Sequence, residues 1–333
     1  MKYRLKKLSD QVVVITGASS GIGLATAREA ARRGARLVLA CRDQERLDTL
    51  VEELRADGGQ AIAVQMDVGK REDHERLLQA ALEAHGTVDT WINNAGVSIF
   101  GRIEDVPVED QRKLFDTNYW GVVYGSIVAV GHLREHGGAL INVGSEVSDR
   151  AVPLQGAYSA SKHAVKGFTD ALRMELENEG APVSVTLIKP ASIATGFTAH
   201  ARNYMDVEPR LPPPVYAPEV AARAILYAAE HPRRDLYVGS AAKAIGQFGQ
   251  RMPGLADRMG SWLIKHQRTG IPSRSRDDGL ESPGRDDTPA YPQRGRRHSA
   301  YTHMATRGRA PMLAACAVVL VGAVLGVAHA RRS

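Results

Sequence analysis

Residues Gln11-Val-Val-Val-Ile-Thr16 form a short β-branched run, glycines follow at 17, 21 and 23, and a helical pattern opens at Leu24-Ala-Thr-Ala-Arg-Glu-Ala30. A buried strand that passes through a glycine turn straight into a helix is the opening unit of a parallel α/β sheet, and few other folds accept it. The first N–H groups of such a helix have no partner within it and carry partial positive charge, so the turn suits a pyrophosphate and hence a dinucleotide. The spacing is Gly-x-x-x-Gly-x-Gly, not the commoner Gly-x-Gly-x-x-Gly, and Thr16 precedes it. Glycines that serve only a tight turn are the plainer alternative. Strand–helix alternation continues to about residue 240, which predicts one doubly wound sheet of about seven parallel strands. With 333 residues and 44% hydrophobic content, the chain can bury one large core.

Tyr158 and Lys162 stand one helical turn apart in Gly156-Ala-Tyr-Ser-Ala-Ser-Lys162, so both lie on one helix face. An unperturbed phenol, with a pKa of about 10, is a poor base near neutrality, and a neighbouring ammonium is expected to lower it. Ser145 follows the apolar run Ala139-Leu-Ile-Asn-Val143 and is placed to give a substrate carbonyl or alcohol oxygen its second hydrogen bond. Tyr-x-x-x-Lys alone is a frequent helix pattern. The upstream glycine turn is what gives it weight.

Thr16-Gly-Ala-Ser-Ser-Gly-Ile-Gly23, Asp67-Val68, Asn93-Asn-Ala-Gly96, Asn118, Ser145, and Tyr158 with Lys162 occur in one order over roughly residues 9 to 240. In these motifs the chain resembles the short-chain dehydrogenase/reductase family, in its compact one-domain subtype. The resemblance implies a Rossmann-like α/β catalytic domain over residues 9–240 and an NAD(P)-dependent enzyme acting on CH–OH or C=O groups. It implies that Gly17, Ser19, Ser20, Gly21, Ile22 and Gly23 surround the cofactor phosphates, that Asp67 and Val68 meet the adenine, and that Asn94, Ala95 and Gly96 line the adenosine side. Pro190, Ile193 and Thr195 would reach the nicotinamide end, with Tyr158 and Lys162 at its ribose. Asn118, Ser145, Tyr158 and Lys162 would form a catalytic tetrad, with Asn118 at a helix kink supporting a water that links the lysine to solvent. Ser145, Tyr158, Val97, Glu146, Val147 and Gln155 would flank the substrate, beneath a cap running from about Gly196 to Tyr216. The family usually has Pro-Gly where this chain has Pro190-Ala191, and alanine allows less backbone freedom than glycine.

The second strand ends at Cys41-Arg42-Asp43, beside the expected adenosine ribose. An acidic residue there accepts from a free 2′-hydroxyl, whereas arginine pairs with a 2′-phosphate. Arg42 therefore favours NADP(H), with NAD(H) left open by Asp43, which fits equally well as the N-cap of the next helix.

Two cysteines, Cys41 and Cys316, supply neither a disulfide framework nor a zinc set, and the eleven histidines, His163 among them, show no metal spacing. No metal is expected. The net charge of +6 is gathered partly at the ends, in Lys2, Arg4, Lys6 and Lys7 and in the arginines of residues 294–309. Without a nucleic-acid module or interleaved aromatics, a membrane surface or simple solvation explains that charge better than nucleic acid.

After the basic arm 1–8 and the domain 9–240, residues 241–267 read as a helical extension. There Phe248, Met252, Leu255, Met259 and Trp262 are expected to pack over the pocket or on a second subunit, with an interfacial helix as the alternative. Residues 268–309, rich in Pro, Ser, Gly, Arg and Asp, read as a disordered linker. The uncharged stretch from Ala310 to Ala328 approaches the length of a transmembrane helix over 310–330, with Arg331 and Arg332 at its far end. The arginines before it would keep the catalytic domain on the cytoplasmic side, tail-anchored; a tail packed on the protein would leave the chain cytoplasmic.

The expected activity is hydride transfer between NADP(H) and a lipophilic carbonyl or secondary alcohol, by a homodimer or homotetramer, with Tyr158 as general acid/base. A non-catalytic NADP-binding scaffold or redox sensor is the rival, and the intact Ser145, Tyr158 and Lys162 speak against it.

Overall fold

The β-branched runs do become strands, and their period of two sends alternate side chains to opposite faces. A computed structural model describes residues 4–274, 277–284 and 292–307. Seven strands form one parallel sheet: β1 (Val12–Thr16), β2 (Arg36–Cys41), β3 (Gln60–Gln65), β4 (Thr90–Asn93), β5 (Gly138–Val143), β6 (Val183–Pro190) and β7 (Asp235–Val238). Their order across the sheet is β3-β2-β1-β4-β5-β6-β7. In β1, Val13 and Ile15 enter one core with Ala27, Ala30 and the apolar face of Ala221–Ala229. Val12 and Val14 enter the other, with Leu77, Trp91, Leu133 and Leu140. Helices α1 (Gly21–Arg32), α2 (Gln44–Ala56) and α7 (Pro218–Glu230) supply the first layer, and α3 (Arg71–His85), α5 (Gly121–His136) and α6 (Gly156–Glu179) the second. Strand order reverses between β1 and β4, so the connections leaving these two strands diverge and open a crevice at their carboxyl ends.

Helix α4 (Val108–Phe115) reaches α5 through a π-helical turn, Asp116–Trp120, closed by the Gly121 N–H donating to the Asp116 carbonyl. Such a turn inserts one residue and rotates the helix face. Asn118 is thereby fully buried.

Beyond the sheet come α8 (Ser240–Arg251), α9 (Pro253–Arg258) and α10 (Gly260–Gln267). Met252, Leu255, Met259 and Trp262 are exposed in this region, so they do not pack over the pocket, the first of the two places expected for them; packing on a second subunit is not tested by a single chain.

The linker reading of 268–309 needs a second correction. Arg268–Pro272 pairs antiparallel with Val207–Pro209, Leu280 is 5% exposed, Gln293 exchanges hydrogen bonds with the Leu211 backbone, and α11 (Ala300–Ala305) packs on β7 and α8. The segment lacks periodicity because its partners belong to the domain, not to itself. The apolar stretch 310–330 lies outside the described residues, and no helix among the described residues is long and apolar enough to cross a membrane.

Candidate active site

The cleft begins where β1 ends. Gly17 and Gly21 have φ of +65° and +54°, the left-handed region where a side chain is strained. A Cβ on Gly23 would stand 2.1 Å from the Gly17 carbonyl oxygen, so the turn closes only on a hydrogen. Asn94, at the end of β4, holds the turn from the other side: its Nδ2 donates to the carbonyls of Thr16 (2.9 Å) and Gly17 (3.1 Å), and its N–H donates to Thr16 Oγ1 (3.1 Å). Ser20, the N-cap of α1, makes no side-chain capping bond, which leaves the first-turn N–H groups for an anion. This cradle fits a dinucleotide pyrophosphate. Ser19, Ser20, Ile22, Asp67, Val68, Ala95 and Gly96 line the same cleft.

Lys162 and Tyr158 project from one face of α6, and Ser145 sits just after β5 as the cap of a short 3-10 turn. The Ser145 hydroxyl, which accepts from the Val147 N–H at 3.3 Å, stands near enough to the Tyr158 phenol to favour its ionised form. Lys162 Nζ lies 5.8 Å from the Tyr158 ring centre and donates to the Val143 carbonyl at 2.9 Å. Asn118 Nδ2 donates to the Val97 carbonyl (2.9 Å) and to Ser161 Oγ (3.1 Å), and its Oδ1 accepts from the Val97 N–H (2.8 Å). A Cβ on Gly96 would lie 3.3 Å from Asn118 Oδ1 and 3.6 Å from Lys162 Nζ. The four residues are thus brought together.

The electrostatics differ from the sequence expectation. Burial pushes the Tyr158 phenol up to about 12; the Ser145 hydroxyl lowers it, and the nearby Glu146 carboxylate raises it. Burial also draws Lys162 down to about 8. Desolvation is the largest cause for both groups, and it keeps the Tyr158 phenol above its ordinary value.

Glu146 follows Ser145 directly and lines the cleft. Burial lifts its carboxyl to about 7. Val97, Val147, Val152, Phe197, Leu211 and Pro212 give the substrate half apolar walls, and the Phe197 ring meets Tyr158 edge-on at 5.4 Å. Gln155 also lines it, but its amide is committed: Nε2 donates to Ser98 Oγ and Oε1 accepts from Gln267. At the far end Pro190, Ile193 and Thr195 line the cleft, with a Cβ on Gly21 coming within 3.1 Å of Thr195 Cγ2. Among the described residues the only non-glycine with positive φ is Leu154, so Ala191 occupies the usual glycine position without backbone strain.

The family model for short chain dehydrogenases matches residues 11–206, which is more than half the chain and contains the whole tetrad. The chain is a short-chain dehydrogenase/reductase. It is 51% identical over 281 residues to the uncharacterized oxidoreductase YxnA of Bacillus subtilis (strain 168), covering 83% of this chain and 79% of that one. It is 38% identical over 195 residues to 11-beta-hydroxysteroid dehydrogenase-like 4A of Arabidopsis thaliana, covering 58% of this chain and 64% of the relative. Among solved structures, a short-chain dehydrogenase/reductase from Burkholderia phymatum in complex with NAD is similar with a TM-score of 0.67 and 28% identity, over 82% of this chain and all of that one. An alcohol dehydrogenase from the archaeon Thermococcus sibiricus, complexed with 5-hydroxy-NADP, is similar with a TM-score of 0.60 and 28% identity, over 68% and 95% of the two chains. Like its family, this dehydrogenase/reductase is an NAD(P)-dependent oxidoreductase.

In this short-chain dehydrogenase/reductase, Arg42 lies on the cleft wall at the end of β2. The Asp43 carboxylate caps α2, accepting from the Arg46 N–H at 3.2 Å. Gly279, Pro283 and Gly284 also line the cleft, from a segment that the sequence reading gave to a linker. Nothing local marks them, since a Gly/Pro/Asp-rich stretch looks the same whether it is solvated or docked.

Proposed function

We propose that this short-chain dehydrogenase/reductase is an NADP(H)-dependent enzyme that interconverts a lipophilic carbonyl and its secondary alcohol. The observation that carries the reading is the half-buried Tyr158, with Ser145 and Lys162 beside it, in a cleft that starts at the Gly17–Gly23 turn. When bound, the nicotinamide supplies or accepts the hydride. Gly17, Ser19, Ser20, Gly21, Ile22 and Gly23 would hold its phosphates, Asp67, Val68 and Asn94–Gly96 the adenosine half, and Pro190, Ile193 and Thr195 the other end.

Tyr158, protonated until about pH 12, donates its proton to the substrate oxygen, while Ser145 gives that oxygen a second hydrogen bond. The Tyr158 phenolate then regains a proton that comes ultimately from solvent, with the Lys162 ammonium beside it favouring that return. Asn118 fixes the Val97 backbone and the Ser161 side chain around this path.

Arg42 supports NADP(H): it brings a guanidinium to the ribose end of the cleft, where Arg46 also lies, and the Asp43 carboxylate there is engaged as the cap of α2. The apolar walls of the substrate half support a lipophilic substrate. The uncharged 310–328 sequence supports a tail anchor that brings the domain close to such molecules, and a homodimer or homotetramer follows family habit.

The test is NADPH consumption by the full chain against a panel of lipophilic and small polar carbonyls, with Tyr158→Phe alongside. The variant should bind NADPH normally and lose roughly 10²–10⁴-fold in turnover; undiminished turnover removes Tyr158 from the mechanism. Carbonate extraction of membranes should leave the full chain in the pellet, and complete recovery in the supernatant excludes the anchor.

A further inference from the structure

The docked C-terminal segment touches both halves of the cleft. At one end Leu280 enters an apolar cluster with Val97, Ile99, Val106 and Leu114, against which Tyr158 and Tyr204 pack. Asp278 holds that end down: its carboxylate accepts from Arg202 Nε at 2.7 Å and from the Leu280 N–H at 2.9 Å. Lys113, five residues before Asn118, pairs with Glu281 at 2.6 Å. At the other end the carbonyls of Gly279 and Ser282 accept from Arg42 at 2.5 and 3.1 Å. Between them the Gly279 N–H donates to the His200 carbonyl at 2.7 Å, so the segment also rests on the loop after Thr195.

Both Arg42 bonds to this segment leave from Nη2. A guanidinium carries further N–H donors on Nε and Nη1, in a planar fork suited to phosphate oxygens. One arginine can therefore grip the segment with one nitrogen and a phosphorylated ribose with the others. Removing the phosphate would leave Arg42 tied to two neutral carbonyls only, a weaker arrangement than a charge-assisted pair.

We infer that residues 277–284 form a strap that is a working wall of the active site, positioned by a 2′-phosphorylated cofactor through Arg42. The inference rests on the NADP(H) reading above and deepens it: Arg42 selects the cofactor and also transmits its presence to Leu280, beside Val97 and Tyr158. A cofactor without the phosphate would still fill the glycine cradle but would add no hold on the strap through Arg42. Leu280 and Asp278 are positioning residues here, acting through Arg42.

The test measures equilibrium binding of NADPH and NADH to the full chain by nicotinamide fluorescence, so that no substrate is needed. Leu280→Ser loosens the apolar end of the strap and leaves Arg42 untouched; Asp278→Asn does so more gently, should the first variant fold poorly. Each should weaken NADPH by roughly tenfold and NADH by less than about twofold, and neither should weaken NADPH further once Arg42→Ala is in place, because contacts in one chain couple non-additively. Equal losses for both cofactors, no loss, or tighter NADPH binding would each overturn the strap's role. A wild-type chain that binds NADH more tightly than NADPH would instead refute the NADP(H) reading, and the strap proposal would fall with it.

Discussion

Glu146→Gln is a sharp test of the electrostatics of the cleft, because it removes a charge and changes little else. The wild-type carboxyl has its value lifted from 4.5 to about 7 by burial. A raised carboxyl favours the neutral form in the folded state, so between pH 4.5 and 7 the unfolded chain ionises first and the native state loses stability as pH rises. Above about 7 the loss is complete and constant. At about 1.4 kcal/mol per pH unit the full gap corresponds to about 3 kcal/mol. Glu146 faces the cleft and is only partly enclosed, so water reaching it reduces this to about 1–2 kcal/mol. Glutamine keeps the shape and cannot ionise. Glu146→Gln should therefore match the wild type at pH 4.5 and exceed it at pH 8, by roughly 2–4 °C in Tm for a chain of this size. Thermal unfolding of both proteins at these two pH values is the assay. Equal pH dependence in the two, or a less stable variant at pH 8, would refute the argument that burial governs this site. The same substitution removes the charge that raises Tyr158, so the Tyr158 phenol should titrate at lower pH in the variant.

Arg42→Asp should lower the ratio of kcat/KM for NADPH over NADH by at least about tenfold, since a carboxylate repels a 2′-phosphate and accepts from a free hydroxyl; an unchanged ratio would take Arg42 out of cofactor selection. Gly23→Ala places a Cβ 2.1 Å from a backbone oxygen that cannot move without the Gly17 turn. It should cost about 1–3 kcal/mol, in the manner of an overpacked core. Calorimetry with a parallel NADPH titration checks this, and full cofactor affinity at wild-type Tm would show that the turn is looser than its geometry.

Much of the catalytic end was legible in the chain because its residues are read by local rules. A β-branched run, a glycine at a forced φ, and two side chains one helical turn apart mean nearly the same thing in any context. Asn94 was read only as a cofactor wall, and its larger structural work, clamping the Thr16 and Gly17 carbonyls, depends on β4 lying beside β1. The direction of the Tyr158 shift was misjudged for a comparable reason. Helical spacing shows that the cation is near, but desolvation is the larger cause for both groups and depends on what the rest of the molecule packs around them. The tail was misread most, since Asp278, Leu280 and Glu281 carry no pattern of their own and find Arg202, the Val97 cluster and Lys113 only across the folded surface.

The sequence by itself determined the sheet, the glycine turn, the order of the catalytic residues and the apolar character of the 310–328 run, because strand period, helical spacing and backbone sterics act over a few residues. Packing alone sets the raised Tyr158 phenol, ties Gln155 to Ser98 and Gln267, and brings a polar tail against the cleft. Burial, and the pairing of groups distant in the chain, are properties of the packed molecule, and no window of sequence contains them.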